Sequence, residues 1–189
     1  TTYGGGVYVS GGTFTMNGGT SSVSNNTAKN GGGVSVSSGT FNMNDGTISG
    51  NTGNGVFVNG GTFTVSNTPT VTGNTRKSAD SNVFLTGSKT ITIGGTLHEG
   101  ASIGVTKKEG VDYGVIAENV STDYSGKFFS DDKTREVKYK DNQLVLAEKD
   151  TTAETHTHCL CGKTHTAIGD HKTEQEVTFA TELKQVNGQ

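Results

Sequence analysis

Proline is almost missing from this chain, with one residue in 189, and tryptophan is absent. Hydrophobic residues make up only 29% and there are two cysteines. Each shortage excludes something. A collagen-like helix needs abundant proline in a strict Gly-X-Y period. A disordered chain usually carries many charges and prolines, and charged residues here reach only 17%. No apolar run approaches the roughly 18 residues of a membrane-spanning helix. The formal net charge of −3 argues against nucleic acid, which calls for a basic face. No Gly-x-Ser-x-Gly elbow, Walker loop or His-Glu-x-x-His pair occurs. No signal peptide is visible, and Thr1 falls in mid-pattern, so we expect a mature or excised piece of a longer protein. Charge is scarcest at the start, where residues 1–105 hold only Lys29, Asp45, Arg76, Lys77, Asp80, Lys89 and Glu99.

What the chain does have is glycine, 29 residues of it, placed at regular intervals. GGGVYVSGGTFTMNGG at 4–19 is echoed by GGGVSVSSGTFNMNDG at 31–46 and by GVFVNGGTFTVSN at 55–67. The repeats align into apolar columns. Val7, Val34, Val56 and Val83 form one, with Val9, Val36, Val58 and Leu85 two residues on. Phe14, Phe41, Phe63 and Ile91 form another, with Met16, Met43, Val65 and Ile93 two residues on. A third column reads Val23, Ile48, Val71, Leu97. Spacing of two places both members of a pair on one face of a strand. The repeat runs 22 to 27 residues, so each copy holds about three short strands.

One such copy cannot bury its own apolar face, but stacked copies can. Parallel strands from successive coils then pair at about 4.8 Å. The expected fold is therefore all-β, a parallel β-helix solenoid. Gly12, Ser38 and Gly61 are expected in one turn column. Asn26, Asn51 and Asn74, each followed by Thr, are expected in another, with their amides hydrogen-bonded along the stack as in other stacked β structures.

Three segments follow from composition. Residues 1–105 are expected to be the coils. Residues 106–149 read as a C-terminal β cap, with a hairpin in REVKYKDNQLVLAE turning near Lys140–Asn142. The charged run Asp131, Asp132, Lys133, Arg135 and Glu136 reads as a solvated loop. Residues 150–189 read as an irregular Cys/His connector and the truncated start of a following unit.

The connector holds DTTAETHTHCLCGKTHTAIGDHK at 150–172. Cys159, Cys161, His156, His158, His165 and His171 are candidate ligands for a structural zinc, because thiolate and imidazole suit tetrahedral zinc. Cys-x-Cys is not the usual knuckle spacing. A local disulfide or free thiols, and a connector with no ordered site, stand beside the zinc reading.

On the outer side of the first strand column lie Tyr8, Ser35, Phe57 and Phe84. Tyr8, Phe57 and Phe84 are candidate glycan contacts, since an aromatic face meets the apolar face of a sugar ring well. Their other reading is structural cover by the cap or another chain. The outward column Thr15, Asn42, Thr64 and Thr92 is polar. The three acids Asp45, Asp80 and Glu99 fall at different places in the repeat. They are not expected to converge as the paired carboxylates of glycoside hydrolysis must.

GGGVYVSGGTFTMNGGT, DGTISGNT and ITIGGTLHEGASIGVT resemble the β-helix repeats of large adhesin-like surface proteins of Gram-positive gut bacteria, over roughly residues 1–150. The HTHCLCG stretch is similar to connectors between solenoid units in those proteins. The resemblance implies a right-handed, pectate-lyase-like solenoid and an extracellular or cell-wall location. We expect a non-catalytic segment, a rigid spacer or adhesin, whose partners are host or plant glycans or other surface proteins. Self-association through the edge of the N-terminal coil is a further expectation. The alternative is a carbohydrate-active β-helix enzyme, a polysaccharide lyase or hydrolase. Fold alone does not decide between them.

Overall fold

The computed structural model describes residues 2–107 and 114–150, and the backbone of two short strands at 153–156 and 165–168. Within them the chain winds as a parallel β-solenoid of about five turns. The first face is built from β1 (Val7–Val9), β4 (Val34–Val36), β7 (Val56–Val58) and β12 (Val83–Leu85). The second stacks β2 (Thr13–Met16), β5 (Thr40–Met43), β8 (Thr62–Asn67) and β13 (Ile91–Leu97). The third stacks β3 (Ser22–Ser24), β6 (Thr47–Ser49) and β9 (Thr70–Thr72). Every pairing among these strands is parallel.

The registers follow the apolar columns. Val7 pairs with Val34, Val34 with Val56 and Val56 with Val83. Phe14, Phe41, Phe63 and Ile91 pair likewise. The three Phe rings stack inside the coil with centroids 5.4 and 5.1 Å apart. From the second coil onward the columns are buried except at Ile93, which is half-buried. Each such side chain contributes about 1.5–3 kcal/mol by leaving water.

Two column assignments differ from expectation. Leu97 does not join the third column. The register of β13 shifts after Ile93, and Leu97 lies against Asn67 on the second face. Ile103 takes the place opposite Val71. It belongs to β14 (Ser102–Lys107), whose second half pairs with β12 on the first face. In earlier coils a corner of six or more residues separates the third face from the first; here one strand runs straight across. The other difference is Ser38. The turn column is Gly12, Gly39 and Gly61, one residue on, because Thr40 donates its amide to the Gly12 carbonyl and Thr62 to that of Gly39. A side chain on Gly39 would stand 2.5 Å from the Gly12 carbonyl oxygen, so only glycine fits this stack.

The asparagine ladder forms. Asn51 Oδ1 accepts from Asn26 N and Nδ2 at 2.9 and 3.2 Å. Asn74 Oδ1 accepts the same pair from Asn51 at 3.1 and 2.8 Å, and Asn82 Oδ1 from Asn74 at 3.0 Å each. Spare Nδ2 hydrogens satisfy strand-end carbonyls, such as Ser49 O for Asn51 and Thr72 O for Asn74. The ladder ends on Asp131, whose carboxylate accepts from Asn82 N at 2.8 Å, Asn82 Nδ2 at 2.5 Å and Thr106 Oγ1 at 2.7 Å. Asp131 is thus part of the stack and not of a solvated loop. Gly104 leaves room for it, since a Cβ there would stand 2.6 Å from the Asp131 carboxylate and 2.7 Å from the Phe129 ring. Burial pushes the Asp131 carboxyl above its usual range, against the opposing effect of its hydrogen bonds, and Asp80 adds to the rise.

At the C-terminal side, β15 (Val115–Ala117) continues the second face, and β16 (Phe128–Ser130) lies parallel to β14 after one 3₁₀ turn at Ser125–Lys127. Then the strand direction reverses. β17 (Arg135–Lys140) and β18 (Gln143–Glu148) form an antiparallel hairpin, and β18 pairs antiparallel with β15. Its turn is Asp141–Asn142, both left-handed with φ of 50° and 58°, the geometry that two-residue hairpins favour. Asp132 turns back on Thr134 N and Oγ1, and ion pairs join Arg135 to Asp132 and Lys138 to Glu136. No helix among the described residues is long and apolar enough to cross a membrane.

The chain divides into a unit of Thr1–Glu148 and a unit of Lys149–Gln189. In the second, β19 (Ala153–His156) and β20 (His165–Ile168) pair antiparallel with His156 opposite His165. The side chains of His156 and His165, together with His158, Cys159, Cys161 and His171, lie outside the described residues, as does the expected start of a following unit at 177–189.

Candidate functional site

The outer side of the first face carries aromatic residues because its strands alternate inward valines with outward positions. Tyr8, Ser35, Phe57 and Phe84 stand in register there. Phe57 and Phe84 stack with centroids 5.8 Å apart. Tyr3 adds a fourth ring, 6.4 Å from Tyr8 and 6.3 Å from Phe57. It bridges the gap that Ser35 leaves in the column, so the rings form an unbroken file from β1 to β12. Three strand spacings put its length at about 14 Å.

The file is not uniformly open. Tyr3 and Tyr8 are 47% and 52% exposed, Phe84 is half-buried, and Phe57 is only 9% exposed. Ser35, between Tyr8 and Phe57, is buried with its hydroxyl unpartnered. Phe57 therefore acts as a wall more than as an open platform.

Beside Phe84 the chain inserts a two-residue hairpin, β10 (Thr75–Arg76) and β11 (Ala79–Asp80). Lys77 and Ser78 close it with left-handed φ of 51° and 64°. The hairpin swings Arg76 back over the first face. Its guanidinium lies 5.8 Å from the centre of the Phe84 ring, a cation–π arrangement. Arg76 Nε donates to Lys29 O and Nη2 to Asn30 Oδ1, each at 3.3 Å. Asn30, Phe57, Asn59, Arg76, Phe84, Thr86 and Gly87 line a groove of about 450 Å³.

Of the candidate glycan contacts, Phe57 and Phe84 reach this groove and Tyr8 stands at the far end of the file. Sequence reasoning missed Tyr3 and the placement of Arg76. A signal for Tyr3 was present: it precedes Gly4-Gly5-Gly6 as Asn30 precedes Gly31-Gly32-Gly33, and the two residues bridge in parallel. Nothing in the sequence pointed Arg76 at Phe84.

Of the sparse acids of the coils, Asp45 and Glu99 lie at the corner between the second and third faces, two coils apart, and Asp80 lies at the corner between the third and first. Asp45 is tied to Thr68, whose hydroxyl and amide hold its carboxyl below the usual range. Asp80 is exposed on β11, and Glu99 is exposed between β13 and β14. Among the described residues no three His, Cys, Asp or Glu side chains gather as a metal site would require. The outward Thr15, Asn42, Thr64 and Thr92 are in register on the second face. Searches of protein-family models, curated proteins and solved structures return no match to this chain.

Proposed function

We propose that this chain is a non-catalytic segment of a secreted or wall-attached bacterial surface protein. It serves as a rigid spacer whose first face contacts glycans. The observation that carries the reading is the file Tyr8–Tyr3–Phe57–Phe84, which ends in a groove lined with asparagine and threonine. Aromatic rings take the apolar faces of sugars, and amide and hydroxyl groups at the margin take their hydroxyls. Among the described residues the groove is lined by no carboxylate, which favours binding there over hydrolysis, since hydrolysis needs two carboxylates on one cleft.

Affinity electrophoresis of the native protein through gels containing plant and mucin polysaccharides tests this. The recovered polysaccharide is sized afterwards. Retardation without shortening is expected. Shortening replaces the proposal with a carbohydrate-active enzyme. Neither effect leaves the shaft as a spacer alone.

A self-association reading has its own support. Among the described residues β1, β2 and β3 each pair on one side only, and Val7, Phe14 and Val23 beneath them are half-buried. Unpaired strand edges over apolar side chains invite a second copy. Sedimentation is expected to show concentration-dependent association that Phe14→Ser weakens. A monomer at every concentration ends this reading.

A further inference from the structure

The groove beside Phe84 has a charge that no carboxylate among the described residues pairs with. Arg76 is the ionisable side chain of its lining. A guanidinium carries five N–H donors. Two of them go to Lys29 O and Asn30 Oδ1, both neutral acceptors. The ion pairs of Arg135 with Asp132 and of Lys138 with Glu136 do not involve Arg76. Asp80, the acid nearest in sequence, lies across the hairpin from Thr75 and is exposed. The two hydrogen bonds and the Phe84 ring hold the guanidinium plane in place before any ligand arrives. A preorganised fork with donors to spare takes a planar carboxylate in two-point fashion.

We propose that this groove recognises a carboxylated sugar. The sugar ring packs against the open part of Phe84, its carboxylate pairs with Arg76, and its hydroxyls meet Asn59 and Thr86. Thr86 is held for this by its bond to Val58 O at 3.1 Å. The proposal rests on the reading of this face as a glycan surface and narrows it to one ligand chemistry. The carboxylate can come from a hexuronate within a chain or from a terminal sialic acid.

The test measures binding of the intact chain to four ligands. They are an immobilised hexuronan, the same polymer with its carboxyls reduced to alcohols, a sialylated glycan, and that glycan after desialylation. A sulfated polymer of matched charge density controls for ion exchange. Wild-type protein is expected to bind one carboxylated ligand at least about tenfold tighter than its neutral counterpart. Whichever pair shows the difference identifies the source. Arg76→Gln is expected to remove the difference and keep the weak binding to the neutral ligand. Arg76→Lys is expected to restore only part of it, because an ammonium has no fork. The wild-type comparison stands even if a variant folds poorly. Equal binding of charged and neutral ligands overturns the carboxylate assignment and leaves the glycan surface in place. Equal retention by the sulfated polymer overturns it in favour of plain ion exchange. Binding to none of the sugars overturns both.

Discussion

The first coil and the C-terminal end use the same apolar columns and finish differently. Val7, Phe14 and Val23 are half-buried, while Val34, Phe41 and Ile48 one coil later are fully buried. At the other end Ile116, Ala117 and Leu144 are also fully buried, under strands that run antiparallel to the stack. Burial in a stacked fold is therefore a property of neighbours. A residue inherits its dryness from the coils on both sides. A hairpin that reverses strand direction supplies a last neighbour without offering a parallel edge of the same kind.

The largest expected break in this comparison is Phe63→Ala against Phe14→Ala. Phe63 sits mid-stack, and its loss is expected to cost about 3–5 kcal/mol in urea unfolding. Phe14 is expected to cost roughly half that, because its ring already meets solvent. Equal losses show that burial does not grade along the stack.

Asp131→Ala is expected to come next. It strands the amide and side-chain donors of Asn82, at a cost on the order of 3 kcal/mol. Asp131→Asn keeps an oxygen for them and is expected to lose far less. If the two variants unfold alike, the carboxylate is not what closes the ladder.

The third prediction concerns pH. The folded carboxyl of Asp131 is raised by burial, so the folded state binds its proton more tightly than the unfolded chain does. Its stabilising contribution is full below the ordinary carboxylate value of 3.8 and is lost as pH rises through the raised value. Asp45 and Asp132 are shifted the other way, first by the hydroxyls of Thr68 and Thr134, and their contributions fall on acidification. The difference in stability between wild type and Asp131→Asn isolates the first effect. That difference is expected to move against wild type with rising pH over this window, and a flat difference refutes the assignment.

The smallest expected effect is Ser35→Ala. Its hydroxyl is buried without a partner, so removal is expected to leave stability within about 0.5 kcal/mol or raise it slightly. A loss well beyond that shows that the hydroxyl has a partner under the aromatic file.

The apolar columns and the asparagine ladder were legible in the sequence because both repeat locally, with spacing two between column pairs and an Asn-Thr step after each third-face strand. Leu97 misled because β13 runs on through Gly94 and Gly95 and slips its register. Ser38 misled because the turn column follows backbone acceptors and not the letter pattern. Asp131 was unreadable, since it meets Asn82 across 49 residues and belongs to no repeat. Arg76 was unreadable for a different reason. Its direction depends on Lys77 and Ser78 both adopting left-handed backbone, which neither residue type announces. The aromatic column was visible; the ring that completes it and the cation at its end were not.

The asparagine ladder has a direction. Each side-chain oxygen faces the donors of the asparagine before it, and Asp131 receives the last pair without needing to pass one on. A coil duplicated or deleted within the ladder would leave every hydrogen bond matched, because what enters each unit is what leaves it. A coil added after Asp131 would find no amide to continue the relay. Length is thus free to vary by gene duplication inside the shaft, while the stop stays fixed at one residue.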